Sequence, residues 1–179
     1  MKKIFLLLGF CITTISISAQ EKATDVFSAK IGLIGAWISY EKAVSPEFTI
    51  NGEIGYEGGF FYSDWIDNDL NYVFTTTLSL EGRFYYNFKR RIEKEKNTKN
   101  NSANYLALEA TYTPDWGTAE NSKNINVLKT FSVIPKYGLR RNLSEKFNFE
   151  FAVGPGYQWT ENGNDGAILG IDVKFGFVF

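Results

Sequence analysis

The sequence predicts an all-β chain, an antiparallel up-and-down transmembrane β-barrel of about eight strands behind an N-terminal signal peptide. Three observations carry that expectation. Apolar and polar residues alternate with a period of two along most of the chain, a basic and apolar leader stands at its start, and aromatic residues collect at the ends of the alternating segments.

The alternation is clearest over 147–179. Phe147, Phe149, Phe151, Val153, Pro155, Tyr157 and Trp159 share one face, against Asn148, Glu150, Ala152, Gly154, Gly156, Gln158 and Thr160. After a turn over 162–166, Ala167, Leu169, Ile171, Val173, Phe175, Phe177 and Phe179 stand against Ile168, Gly170, Asp172, Lys174, Gly176 and Val178. Alternation alone leaves two arrangements open. In a soluble sandwich or lipocalin-like barrel the apolar face is the core; in a transmembrane barrel it meets lipid and the charges line the lumen. The leader, the bilayer-spanning strand length and the terminal aromatics favour the second.

The earlier strands follow in order. Over 48–61, Phe48, Ile50, Ile54 and Tyr56 oppose Thr49, Asn51, Glu53 and Glu57. Over 72–88, Phe74, Leu78, Leu80, Phe84, Tyr86 and Phe88 face out, and Thr75, Thr77, Ser79, Glu81, Arg83 and Asn87 face in. Segments 105–113 and 127–140 add two more strands, with Glu109, Lys136 and Arg140 on their polar faces. If the last strand ends in the periplasm, 62–71, 115–126 and 161–166 are outer loops and 43–47, 89–103 and 141–146 periplasmic ones. Segment 33–42 then runs downward, and an upward strand over roughly 23–31 precedes it with a tight turn near 32–35. The rival is one long first strand and an irregular barrel.

The terminal alternating strand closing on Phe179, the Tyr157 and Trp159 pair, and the phrases Tyr137-Gly138-Leu139-Arg140-Arg141-Asn142 and Phe84-Tyr85-Tyr86-Asn87-Phe88 carry a resemblance. With them, residues 24–179 resemble a small outer-membrane β-barrel of the OmpA/OmpX size class, in a style typical of Bacteroidota. The resemblance implies residence in the outer membrane of a Gram-negative bacterium, contact with its lipid, and reading of Tyr157, Phe175, Phe177 and Phe179 by the barrel-assembly machinery. It implies no activity.

Met1-Lys2-Lys3, the apolar run 4–12 and the small residues Ser16, Ser18 and Ala19 read as a signal peptide over 1–19, leaving 20–179 as the barrel domain. Cys11 follows Phe10, where a lipoprotein signal would want a small residue, so it belongs to the apolar run; its loss leaves no disulfide or thiolate site. Without Lys2 and Lys3 the 19 basic residues fall to 17 against 20 acidic, so no basic field attracts nucleic acid.

An eight-stranded barrel is just filled by side chains. The expected lumen ion-pair network comprises Glu53, Glu57, Glu81, Arg83, Glu109, Lys136, Arg140, Glu150, Asp172 and Lys174. It plugs the barrel or, alternatively, lines a narrow path for ions or small solutes. The chain has no histidine, the usual base near neutral pH, so no Ser-His or Cys-His pair exists and no enzyme, cofactor or metal is expected. A carboxylate-only lipid-modifying enzyme is the weaker alternative. Asp64, Asp67 and Asp69 form a possible loop cation site, or a divalent bridge to lipopolysaccharide, although Tyr72 and Leu78 stand where an EF-hand needs Gly and Glu. Trp116 reads as an exposed residue, an interfacial anchor or a ligand contact, and the charged run 89–100 as a solvated loop or frayed helical turn. The sequence thus points to a charge-plugged outer-membrane barrel with a structural or surface-interaction role.

Overall fold

The computed structural model describes residues 22–63, 69–121 and 127–179; the expected signal peptide lies outside them. Among the described residues, nine antiparallel strands form one sheet: β1 Val26–Gly32, β2 Gly35–Ala43, β3 Phe48–Ser63, β4 Asp69–Phe84, β5 Asn104–Thr113, β6 Ala119–Glu120, β7 Thr130–Asn142, β8 Phe147–Thr160 and β9 Gly166–Val178. Eight of them pair each to the next, and β9 pairs back to β1, so the hydrogen bonds run round a closed ring. The two-residue β6 lies beside β4, opposite Val73 and Phe74. Closure leaves the ring with no long free edge over the shared height of its strands.

Register converts the alternation into an inside and an outside. Ile31, Ile38, Ile54, Leu80, Leu108, Leu169 and Ile171 point outward and are 58% to 65% exposed. Lys30, Glu41, Glu53, Glu81, Arg83, Arg140 and Glu150 point inward and are at most 5% exposed. This polarity is the reverse of a water-soluble sandwich, whose inner face is apolar. The turn at Leu33 and Ile34, with Gly32 opposite Gly35, falls where the sequence expects it.

At one end the chain departs from the expected pattern. Strand β4 stops at Phe84 instead of continuing to Phe88, and Phe88 is 1% exposed rather than outward-facing. The Tyr85 amide donates to the Glu47 carbonyl at 2.7 Å, which turns the chain across the end of the ring into α1 Phe88–Glu93. Tyr85, Phe88, Ala103, Tyr105 and Ala152 make a small apolar core there. The charged run is therefore not simply solvated: Lys89, Arg90 and residues 93–97 are exposed, but Thr98, Asn101 and Ser102 are buried as the chain folds back. At the other end the β3–β4 hairpin extends further than expected, to Ser63 and Asp69, where the sequence places a loop over 62–71.

Tyr105 lies flat on the inner wall because Gly138 has no side chain; a Cβ there would overlap the phenol ring. Gly138→Val is expected to lower stability by about 1–3 kcal/mol through overpacking. Gly52→Ala, where a Cβ meets nothing within 4 Å, is the matched control and is expected to be near neutral. Urea unfolding midpoints of the two variants check this.

Candidate functional site: the interior charge network

Strand pairing delivers the charges to one another. It sets Arg140 opposite Glu150, Glu150 opposite Lys174, and Glu81 opposite Glu109. Two carboxylates directly across a strand pair repel. Each is drawn to its own cation instead: Glu81 to Arg83 at 2.5 Å and Glu109 to Lys136 at 2.6 Å.

From there the contacts are continuous. Lys136 also holds Asp172 at 2.6 Å, Asp172 meets Lys174 at 3.4 Å, and Lys174 binds Glu53 at 2.7 Å. Lys30 bridges Glu53 at 2.6 Å and Glu150 at 3.2 Å. Arg140 then sits between Glu150 and Glu41, 2.7 Å from each, and Arg83 reaches Glu41 at 3.3 Å. Five cations and six carboxylates thus form one connected network.

Its two ends differ. At the capped end Glu41 accepts further hydrogen bonds from Thr49 at 2.7 Å, Tyr85 at 2.8 Å and Asn101 at 3.0 Å. Asn101 also donates to the Thr24 carbonyl at 2.9 Å and accepts from the Thr24 amide at 2.9 Å, which ties the cap to the start of β1. At the other end the Trp37 indole lies across Gly55, where a Cβ would strike it, and the Lys174 ammonium stands 4.5 Å over its ring. The indole N–H donates to Glu57 at 3.2 Å.

The structure therefore brings together Glu53, Glu81, Arg83, Glu109, Lys136, Arg140, Glu150, Asp172 and Lys174, and leaves Glu57 beside the network, bonded to Trp37 rather than to a cation. Sequence reasoning missed Lys30, Glu41, Tyr85 and Asn101. A signal for the first two existed: Lys30 alternates with Ile31, and Glu41 with Tyr40, so both share the inward parity. Tyr85 continues the inward parity of Glu81 and Arg83 although β4 ends at Phe84, whereas nothing in the local pattern marks Asn101, which lies outside the sheet. Tyr157, Phe175 and Phe179 point outward and are exposed, with Phe175 5.2 Å from Phe149 and Phe179 5.1 Å from Phe27, while Phe177 is partly buried beside Phe147. Asp64 and Asp67 lie outside the described residues; Asp69 opens β4, and its side chain is not among those described. Trp116 is 59% exposed.

Among the described residues, no group of three or more His, Cys, Asp or Glu side chains is placed to hold a metal ion. Compared with known proteins, the chain matches no family model, no curated protein and no solved structure.

Removing one partner from a buried ion pair strands the other, at a cost of about 3–5 kcal/mol. Arg140→Met is expected to lose that much in denaturant unfolding, because both Glu41 and Glu150 lose a partner at 2.7 Å. The rim pair of Lys42 and Asp25, with side chains 59% and 40% exposed, should contribute under about 1 kcal/mol.

Asp25 also has a titration signature. Lys42, the Ala43 amide and the Tyr40 hydroxyl hold its carboxyl down at about 2, below the ordinary 3.8. The folded value lies below the unfolded one, so its contribution is present above the ordinary value and lost as pH falls through about 2. Carbon-detected NMR of the Asp25 carboxyl in wild type and Lys42→Met should show that midpoint rising in the variant.

Proposed function

We propose that the chain is an integral β-barrel of the Gram-negative outer membrane, in the OmpA/OmpX size class, with a charge-plugged interior and a structural or surface-contact role. The observation that supports this most directly is the reversed polarity of a closed strand ring. In hydrocarbon every backbone N–H and C=O needs an internal partner, which a closed ring provides, and apolar side chains outside match the solvent. Seven of the eight ring strands run 9 to 16 residues, enough for a tilted crossing of about 9–11, and β1 has 7.

Aromatic residues flank the apolar band as interfacial anchors. Tyr157, Trp159 and Phe131 stand at one level, and Phe27, Phe147, Phe175, Tyr86 and Tyr137 at the other. In this reading the capped end faces the periplasm, and the β3–β4 hairpin and its neighbours face outward. The partners are outer-membrane lipid and, through Tyr157, Phe175, Phe177 and Phe179, the barrel-assembly machinery. Lipopolysaccharide or a surface ligand would meet the outer loops. The leader over 1–19 supplies export. No reaction is assigned to the residues inside.

The experiment is gel mobility of the detergent-extracted outer-membrane fraction, boiled against unboiled. A faster unboiled band in that fraction is the expected result, and a single unshifted band in the soluble periplasm would overturn the reading. In planar bilayers the plugged interior should give no discrete openings. Openings abolished by replacing Glu81 and Arg83 would put a narrow ion path in place of the plug.

A further inference from the structure

The ring is not equally tall all round. Strand β1 ends at Gly32, opposite Lys174 of β9, and β2 begins at Gly35, opposite Glu57 of β3. Beyond that level β9 continues back to Gly166 and β3 on to Ser63, and among the described residues neither has a ladder partner on the side facing the other. The last link across is the Gly58 amide donating to the Ile34 carbonyl at 3.1 Å. Three strand spacings of about 4.8 Å set the two edges about 14 Å apart where the hairpin stops. The short hairpin thus leaves a notch in the wall.

The notch lies within the apolar band. The hairpin tip is Leu33 and Ile34, 81% and 47% exposed, where a tip in water would carry polar turn residues. Further along β9, Ile171 and Leu169 still point outward, and the aromatic level begins only at Tyr157, opposite Ala167. Behind the notch is a cavity of about 520 Å³, with Leu33, Ile34 and Ile171 at its mouth and Trp37, Glu57 and Thr113 deeper in. That volume suits a small ligand.

Charge selects the head group. Asp172 and Lys174 border the cavity but are held by each other, by Lys136 and by Glu53. Glu57 receives a hydrogen bond from the Trp37 indole at 3.2 Å and, among the described residues, makes no ion pair. The wall therefore offers, among the described residues, one carboxyl with no ion-pair partner behind an apolar mouth.

We propose that this cavity binds an amphiphile carrying an aliphatic chain and a protonated amine, which enters sideways through the notch and places its amine against Glu57. The proposal rests on the membrane reading above, and its test separates the two. Two single-tryptophan proteins are put into phosphatidylcholine vesicles brominated on the acyl chains. One keeps Trp37 and carries Trp65→Phe, Trp116→Phe and Trp159→Phe; the other keeps Trp159 and carries Phe at the remaining three positions.

Bromine should quench both, although Trp37 is inward-facing and only 8% exposed. Quenching of Trp159 without Trp37 would overturn the notch, whereas quenching of neither would overturn the membrane reading itself. Dodecylamine should displace the brominated chain and restore Trp37 emission, with dodecanoate at least about tenfold weaker, the factor that one good charged contact confers. Equal potency of the two, or an unchanged dodecylamine midpoint in a heat-modifiable Glu57→Gln protein, would overturn the head-group assignment. Thr113→Phe fills the cavity and should abolish the Trp37 quenching; quenching that survives it would place the chain elsewhere and overturn the proposal.

Discussion

A closed ring of strands that turns its large apolar side chains outward has to take its polar ones in, and every charge it takes in must be neutralised there. That constraint explains features that otherwise look arbitrary. Glu81 and Glu109 face each other across β4 and β5, an arrangement tolerable only because Arg83 and Lys136 each claim one of them. Arg140 is buried to 1% exposure, and it is tolerated there because its fork spans carboxylates from two different strands. The glycines serve the same end: Gly138 and Gly55 clear wall space for the Tyr105 and Trp37 rings, which bound the charged zone on either side.

Where the sheet is regular, the chain's own pattern was enough to read it. Over β8 and β9 the alternation fixes which residues turn inward, and the equal spacing from the turn puts Glu150 level with Lys174. The tight turn at Leu33 and Ile34 followed from strand parity rather than from local residues, since neither is a typical turn former. Lys30 and Glu41 escaped notice because β1 and β2 are short and mix small residues with charges, so the period of two is weakly marked. Of the cap, the sequence shows only the helical turn in the charged run, realised as Phe88–Glu93, and not the way it folds across the ring. Phe88 continues the outward parity of β4, yet the chain has already turned at Tyr85, and only contacts with residues distant in sequence, Glu47 and Glu41, decide that.

The two ends of the ring are built on different physics. The capped end is closed by backbone and amide hydrogen bonds and a small aromatic core, and its segment 85–103 is stitched to both Thr24 and Arg140. Among the described residues, the opposite end is closed by one indole and the ammonium over it. On the proposed reading, the sealed side faces the periplasm and the indole-closed side faces the cell's surroundings. Contact with surface ligands then belongs at the second.

The pairing of β1 with β9 has a consequence for how the chain reaches this state. Ser28 meets Val178 across almost the whole sequence, and the Lys30–Glu150 and Lys174–Glu53 contacts bridge separations of 120 and 121 residues. None of these can form while the chain is an open sheet, so shutting the ring and discharging its interior are one event. Such long-range closure is slow, because loop entropy is spent before any contact repays it. Once made, it resists reversal, since opening β1 from β9 would unpair a ladder and several buried charges together. Persistence of the folded ring is therefore governed by the rate of a single seam.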